Sequence, residues 1–193
     1  MEKGSTSSAV IKSLVLVLLG ATVILGLYFL FTRNKSTGNE ETYEITVVDE
    51  ITTTNLEKNY PASARKVVDL YAKSMQVLYR ETYTDDQRDK MIAVIQGLMD
   101  EELLANNPNF AQSIRNEVKE RRDDDYSISA YVVQTKEPDE VSVSGRKMCN
   151  VDCLFNLRYA SNGTTANYYT FIMRRDTENG NWKILGWTLK EEE

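Results

Sequence analysis

Cys149-Asn150-Val151-Asp152-Cys153-Leu154-Phe155-Asn156-Leu157-Arg158-Tyr159 is the stretch that decides the fold. Every second residue from Cys149 to Tyr159 is apolar or aromatic, the period of a strand with one side against a core. Asn162-Gly163 follows, then an alternating run over 164–175, then Asn179-Gly180 and a last run over 181–190. Asn-Gly between alternating segments is the strongest short-range signal for a β-hairpin, because both residues accept positive φ. Two-residue turns at both places would set Tyr159 opposite Ala166, Phe155 opposite Thr170 and Cys153 opposite Ile172. Across the second turn Ile172 would meet Trp187, and Arg174 would meet Leu185. That register gathers Cys149, Val151, Cys153, Phe155, Leu157, Ile172, Leu185, Trp187 and Leu189 on one face, expected to lie under helices. Leu154, Tyr169, Phe171, Met173, Trp182 and Ile184 fall on the other. Such a face is too apolar to be left in water, which makes it the candidate interaction face for a protein partner or a second copy of the chain, the alternative being that Tyr43 to Val48, or a helix, folds across it within one chain.

The quoted stretch belongs to a strand expected over roughly 139–160, and one further strand is expected ahead of it over 126–135, giving a four-stranded or larger sheet. Before residue 126 the apolar period is helical. Pro61 and Ser63 mark a start, and Val67, Leu70, Tyr71, Ser74 and Leu78 recur at helical spacing. Thr84-Asp85-Asp86-Gln87 is a capping-box pattern, followed by Met91, Val94, Ile95 and Leu98 and running on toward Leu103 and Leu104. Asn106-Asn107-Pro108 breaks that helix and opens a third, with Pro108 expected at its first position and Phe110, Ile114 and Val118 as its stripe. Helices first and a meandering sheet afterwards define an α+β domain, with about three helices on one face of a curved antiparallel sheet.

Leu14 to Phe31 runs for 18 residues without a charge. At about 1.5 Å per residue this core approaches the roughly 30 Å of a bilayer's hydrocarbon layer. Lys12 and Arg33 bracket it, and no small-x-small cleavage site follows. The expected organisation is a tail over 1–8, an uncleaved transmembrane helix over 9–32 in contact with lipid, a polar stalk over 33–58 and the α+β domain over 59–193. A short strand within the stalk would use Tyr43, Ile45 and Val47. Lys3, Lys12 and the α-amine slightly outweigh Arg33 and Lys35, so the N-terminus is expected in the cytoplasm and the domain outside the cell membrane.

The net charge of −6 is unevenly spread. Lys3, Lys12, Arg33 and Lys35 precede residue 39 against the single acid Glu2, so the domain itself is more acidic than the chain. Such a surface repels phosphate backbones and argues against nucleic acid as a partner. The chain contains no histidine, which removes Ser-His-Asp and Cys-His catalysis and every imidazole metal site. Cys149 and Cys153 would stand about 13 Å apart along an unbroken strand, beyond the roughly 7 Å a disulfide tolerates. They read as small buried hydrophobes. Asp123-Asp124-Asp125 reads as a solvated junction rather than a calcium site. No cofactor is expected.

The order of elements, three helices before a long bent sheet, resembles the nuclear transport factor 2-like superfamily, a cone of helices over a curved sheet. Asn179-Gly180-Asn181-Trp182-Lys183-Ile184-Leu185-Gly186-Trp187 is similar to the closing hairpin of many of its members. Asn59-Tyr60-Pro61 and the run Glu101 to Pro108 resemble uncharacterised membrane-anchored proteins of Gram-positive bacteria. The resemblance spans about residues 59–190 and implies fold more than function. Two readings follow. One is a non-catalytic, extracytoplasmic binding or assembly module, an arrangement also found in a bitopic component of type IV secretion systems. The other is a small-ligand-binding or enzymatic cone domain. Its cavity and core would be built from Tyr71, Tyr79, Cys149, Cys153, Tyr159 and Trp187, with Tyr168 as a further lining candidate. No acid falls on the expected core face to act as a base, since Asp152 lies on the opposite one.

Overall fold

Thr46 accepts a hydrogen bond from the amide of Asp49, whose carboxylate accepts in return from the Thr46 amide, both at 3.1 Å. This reciprocal cap starts helix α1 (Val47–Thr52). The computed structural model describes residues 45–160 and 162–190. The tail, the membrane segment 9–32 and residues 33–44 of the stalk lie outside them. Among the described residues no helix is long and apolar enough to cross a membrane. Where a stalk strand was expected, Val47 begins a helix, and Val48 and Ile51 are buried in the core. The compact unit to which they belong runs from Ile45.

Four more helices follow: α2 (Ala64–Arg80), α3 (Asp85–Gly97), α4 (Glu101–Asn106) and α5 (Phe110–Asp123). Ser63 caps α2, and Thr84 caps α3 in the expected box with Gln87. Pro108 precedes the cap residue Asn109 rather than holding the first helical position. The expected long second helix stops at Gly97. Leu98 to Asp100 leaves it to bond the edge of the sheet: the Asp100 amide donates to the Ile184 carbonyl and the Ile184 amide to the Leu98 carbonyl, each at 2.9 Å. Asp100 then caps α4 through the Glu102 amide. Its carboxylate, 1% exposed, is gripped by Arg174 Nε at 3.0 Å and by a second, very short bond from Nη2.

The sheet has five strands: β1 (Tyr126–Val133), β2 (Val141–Val143), β3 (Arg146–Tyr159), β4 (Thr164–Arg175) and β5 (Trp182–Leu189), in the order β1-β3-β4-β5 with β2 also paired to β3. The long run expected over 139–160 is thus a hairpin, β2 and β3, turning at Ser144 and Gly145. Bulges at Ile128/Ala130 and at Ile172/Met173 bend the sheet. Gln76 of α2 donates to the carbonyls of Ile128 and Ser129 at the first bulge.

The register differs from the expected one. Asn162-Gly163 does not form a two-residue turn. The Asn162 amide donates to the Tyr159 carbonyl and Ala160 takes φ 43°, so the loop lengthens and Arg158 pairs with Thr164. Cys153 faces Tyr169, not Ile172. A shift of three residues is odd, and an odd shift turns every β4 side chain to the other face. The second turn is also wider: the Asp176 carboxylate accepts from the amides of Asn179 (2.7 Å) and Gly180 (2.9 Å), and Gly180 sits at φ 68°. Arg174 therefore pairs with Lys183 instead of Leu185.

The consequence is a correction to the candidate interaction face. Phe171, Met173, Trp182 and Ile184 join Cys149, Val151, Cys153 and Phe155 in the core under the helices, each at most 6% exposed. Tyr169 lies beside them, half-buried. Ile172 and Leu185, expected in the core, are half-buried on the solvent side with Leu154. Only Leu154 keeps the orientation assigned to that face. Cys149 and Cys153 are free buried thiols, and burial pushes both up to about 12.

Candidate functional site

On α2, Tyr71, Met75 and Tyr79 are spaced by four, so their side chains stack along one stripe of the helix. That stripe lies across the bent sheet and leaves a cavity of about 160 Å³. Ile128, Phe155, Leu157, Tyr169, Phe171 and Trp187 close it from the strands, and Glu117, Arg121 and Tyr126 stand at the remaining side. The wall is mainly aromatic. Tyr71 meets the edge of Phe171 at 5.3 Å between ring centroids and lies 5.9 Å from Trp187, while Phe155 and Tyr169 meet at 5.8 Å and 80°.

Trp187 owes its place to the bulge in β5. Ile184 faces the core opposite Met173, yet Trp187, three residues on, pairs with Phe171 on the same side. The expected role of Trp187 as a buried core residue needs correction, since it is 38% exposed and edges the cavity.

The polar groups are few. Tyr79 donates to Glu117 Oε1 at 2.7 Å, which fixes that carboxylate beside the cavity. Arg121, one turn further along α5, lays its guanidinium 5.1 Å from the Tyr126 ring centre. Tyr71, 6% exposed, has no hydrogen-bond partner for its hydroxyl among the described residues, nor has Tyr169. Burial pushes the Tyr71 phenol well above the usual tyrosine range, with the Glu117 charge adding to it. Tyr79 is raised by burial and then by Glu117, with Arg121 offsetting part. Tyr169 is raised in the same order of causes. All three are neutral hydrogen-bond donors at ordinary pH. Among the described residues, no group of three or more Cys, Asp or Glu is placed to hold a metal ion.

Tyr71, Tyr79 and Trp187 are the sequence-predicted residues that the structure brings together here. Tyr159 is displaced to the hairpin end, 42% exposed against the Tyr126 ring. Tyr168 is on the solvent face at 45% exposure, and the two cysteines lie in the core without lining the cavity. Glu117, Arg121 and Tyr126 were not anticipated. Glu117 and Arg121 follow Ile114 at the helical spacing of three and seven, on the flank of the stripe that Ile114 and Val118 define, and that spacing is the signal that could have found them.

Fold and site together define an α+β domain with an aromatic cavity between one helix layer and a bent antiparallel sheet. The chain belongs to the DUF6715 family, described as a domain of unknown function, whose model matches residues 1–187. No curated protein matches the chain. Among solved structures, the intermembrane-space region of the chloroplast protein ARC6 is similar at 13% identity and a TM-score of 0.38, over 72% of this chain and 98% of that one. A de novo designed β-sheet protein is similar at 11% identity and a TM-score of 0.33, over 67% and 90% of the respective chains.

Proposed function

We propose that the chain is a membrane-tethered binding domain whose aromatic cavity holds a small, largely apolar ligand. Tyr71 carries the reading: a hydroxyl without a partner, on a residue 6% exposed, at the wall of an aromatic cavity. Among the described residues the fully buried side-chain atom without a partner is Nε of Arg175, so the Tyr71 hydroxyl borders the open space of the cavity, where an occupant would meet it. The size limits the candidates. A dry cavity of about 150 Å³ holds benzene, whereas drug-sized pockets run to roughly 300–1,000 Å³. One ring or its equivalent is the fit. The reading is of binding rather than turnover, supported by the lack of any histidine in the chain. The protein-docking reading has lost the sheet face that motivated it. A nuclear transport factor 2-like cone remains part of the proposal, supported by helices laid over one face of a bent sheet.

Trp187 supplies the test, because the chain has only two tryptophans and Trp182 is buried against Arg175. Titration with small ring compounds should change tryptophan emission saturably. Trp187→Ala should abolish that response while lowering stability by about 1–2 kcal/mol, less than the roughly 3–5 kcal/mol of a fully buried aromatic. A panel of single-ring probes with no saturable signal, by emission or by melting temperature, would count against the cavity as a site.

The tether rests on the uncharged run Leu14 to Phe31, and the basic residues before it support an outside domain. In intact cells stripped of wall, added protease should digest the domain. Its survival until the membrane is permeabilised would reverse that orientation.

A further inference from the structure

Two features of the cavity bear on the charge of what it takes. The first is the walls. Aromatic rings from α2, β1, β3, β4 and β5 line the cavity. Ring faces carry negative electrostatic potential and attract soft, weakly hydrated cations. The second is the asymmetry of the two charged residues. Glu117 is fixed beside the cavity by Tyr79, with only one carboxylate oxygen taken, while Arg121 is drawn aside onto the Tyr126 ring. The effect on the tyrosines agrees with this geometry. Glu117 acts on Tyr71, where Arg121 has no resolved effect, and outweighs Arg121 at both Tyr79 and Tyr169.

We propose that the cavity takes a small organic cation of the methylated-ammonium class, its head in the cavity against the aromatic wall and its charge balanced by Glu117. This rests on the cavity being a ligand site at all. A hydrated metal ion is the wrong chemistry for it, because one carboxylate and several rings cannot replace the oxygen ligands such an ion requires. A carboxylate ligand would meet Glu117 before it met a free guanidinium. A methylated ammonium has no N–H to satisfy, so it suits a wall with few acceptors. The acidic surface of the domain favours the approach of a cation as well.

The experiment compares choline with 3,3-dimethylbutan-1-ol, its uncharged isostere, on the full chain in detergent, by calorimetry and by Trp187 emission. Choline is expected to bind at least about tenfold more tightly than the isostere, several cation–π contacts being involved. Glu117→Gln should weaken choline by about tenfold and leave the isostere unchanged, while the Tyr79 hydroxyl can still donate to the amide oxygen. Arg121→Gln should leave choline binding intact or strengthen it. Equal or tighter binding of the isostere would overturn the cation and leave the cavity standing as an apolar site. Binding of benzoate in preference to choline, lost in Arg121→Gln, would likewise overturn it. If neither choline, the isostere nor benzoate binds, the cavity reading falls too.

Discussion

Phe171→Asp is expected to abolish the cooperative thermal transition of the domain. Phe171 is 1% exposed, paired with Val151 on one side and Trp187 on the other. Its ring touches Tyr71 from α2, so it joins the helix layer to the sheet. Removing a buried aromatic ring costs about 3–5 kcal/mol. An aspartate adds a carboxylate with no partner in an apolar site, which is expensive unless it takes up a proton. The sum is comparable with the whole stability of an ordinary domain, about 5–15 kcal/mol. Circular dichroism of the purified protein through a melt is the measurement. Tyr168→Thr, three residues away on the solvent face and 45% exposed, should cost no more than about 1 kcal/mol. If the two substitutions behaved alike, the register of β3 and β4 would be wrong.

Asp100→Ala is the second large effect, expected at about 3–5 kcal/mol, because it leaves Arg174 buried without its counter-charge. Arg174 has a side chain 13% exposed and would retain only Glu102, itself 59% exposed. The same change removes the cap of α4. Burial acts to raise the Asp100 carboxyl, but the Arg174 hydrogen bonds, the Glu102 amide and the charges of Arg174 and Arg146 outweigh it and hold the group below the usual aspartate range. A depressed carboxyl stabilises the fold above its unfolded pKa of about 3.9 and loses that contribution as pH falls through the lower folded value. Parent and variant should therefore differ most near neutrality and converge in strong acid. Asp152 and Glu140 are also depressed, so the parent will itself weaken in acid, and the difference between the two proteins isolates Asp100. Urea midpoints at pH 7 and near pH 3 that differ by the same amount would refute the pair as the source.

Most of the elements were legible in the sequence, and the reasons are local. Thr84-x-x-Gln87 caps its helix through a hydrogen bond between near neighbours, and alternation along Cys149 to Leu157 needs no knowledge of the rest of the chain. The pairing of β3 with β4 was not legible, because Asn-Gly is a strong turn signal and not a compulsory one. Here Ala160 takes the positive φ, and the odd offset that results exchanged the two faces of β4. One loop thereby decided whether Phe171 and Met173 read as core or as surface. Helix α1 did carry its signal, Thr46-x-x-Asp49 ahead of Val48 and Ile51, yet the alternation of Tyr43, Ile45 and Val47 pointed to a strand. The cavity was half legible. Tyr71 and Tyr79 share a helical stripe that can be read directly, whereas Trp187 reaches it through a bulge, and Glu117 and Arg121 carry only their spacing from Ile114 on the flank of the α5 stripe as a signal.

The bulge beside Leu185 works as a change of phase. A strand presents alternate residues to each side, and one uncounted residue between Ile184 and Trp187 moves every later side chain by half a period. A chain of nearly the same composition but one residue shorter at that point would pair just as regularly and would carry Trp187 to the opposite surface. The cavity's outermost ring is thus specified by segment length as much as by residue type. Comparisons that align this region by composition alone would match the tryptophans and miss the difference between a lined cavity and an open one.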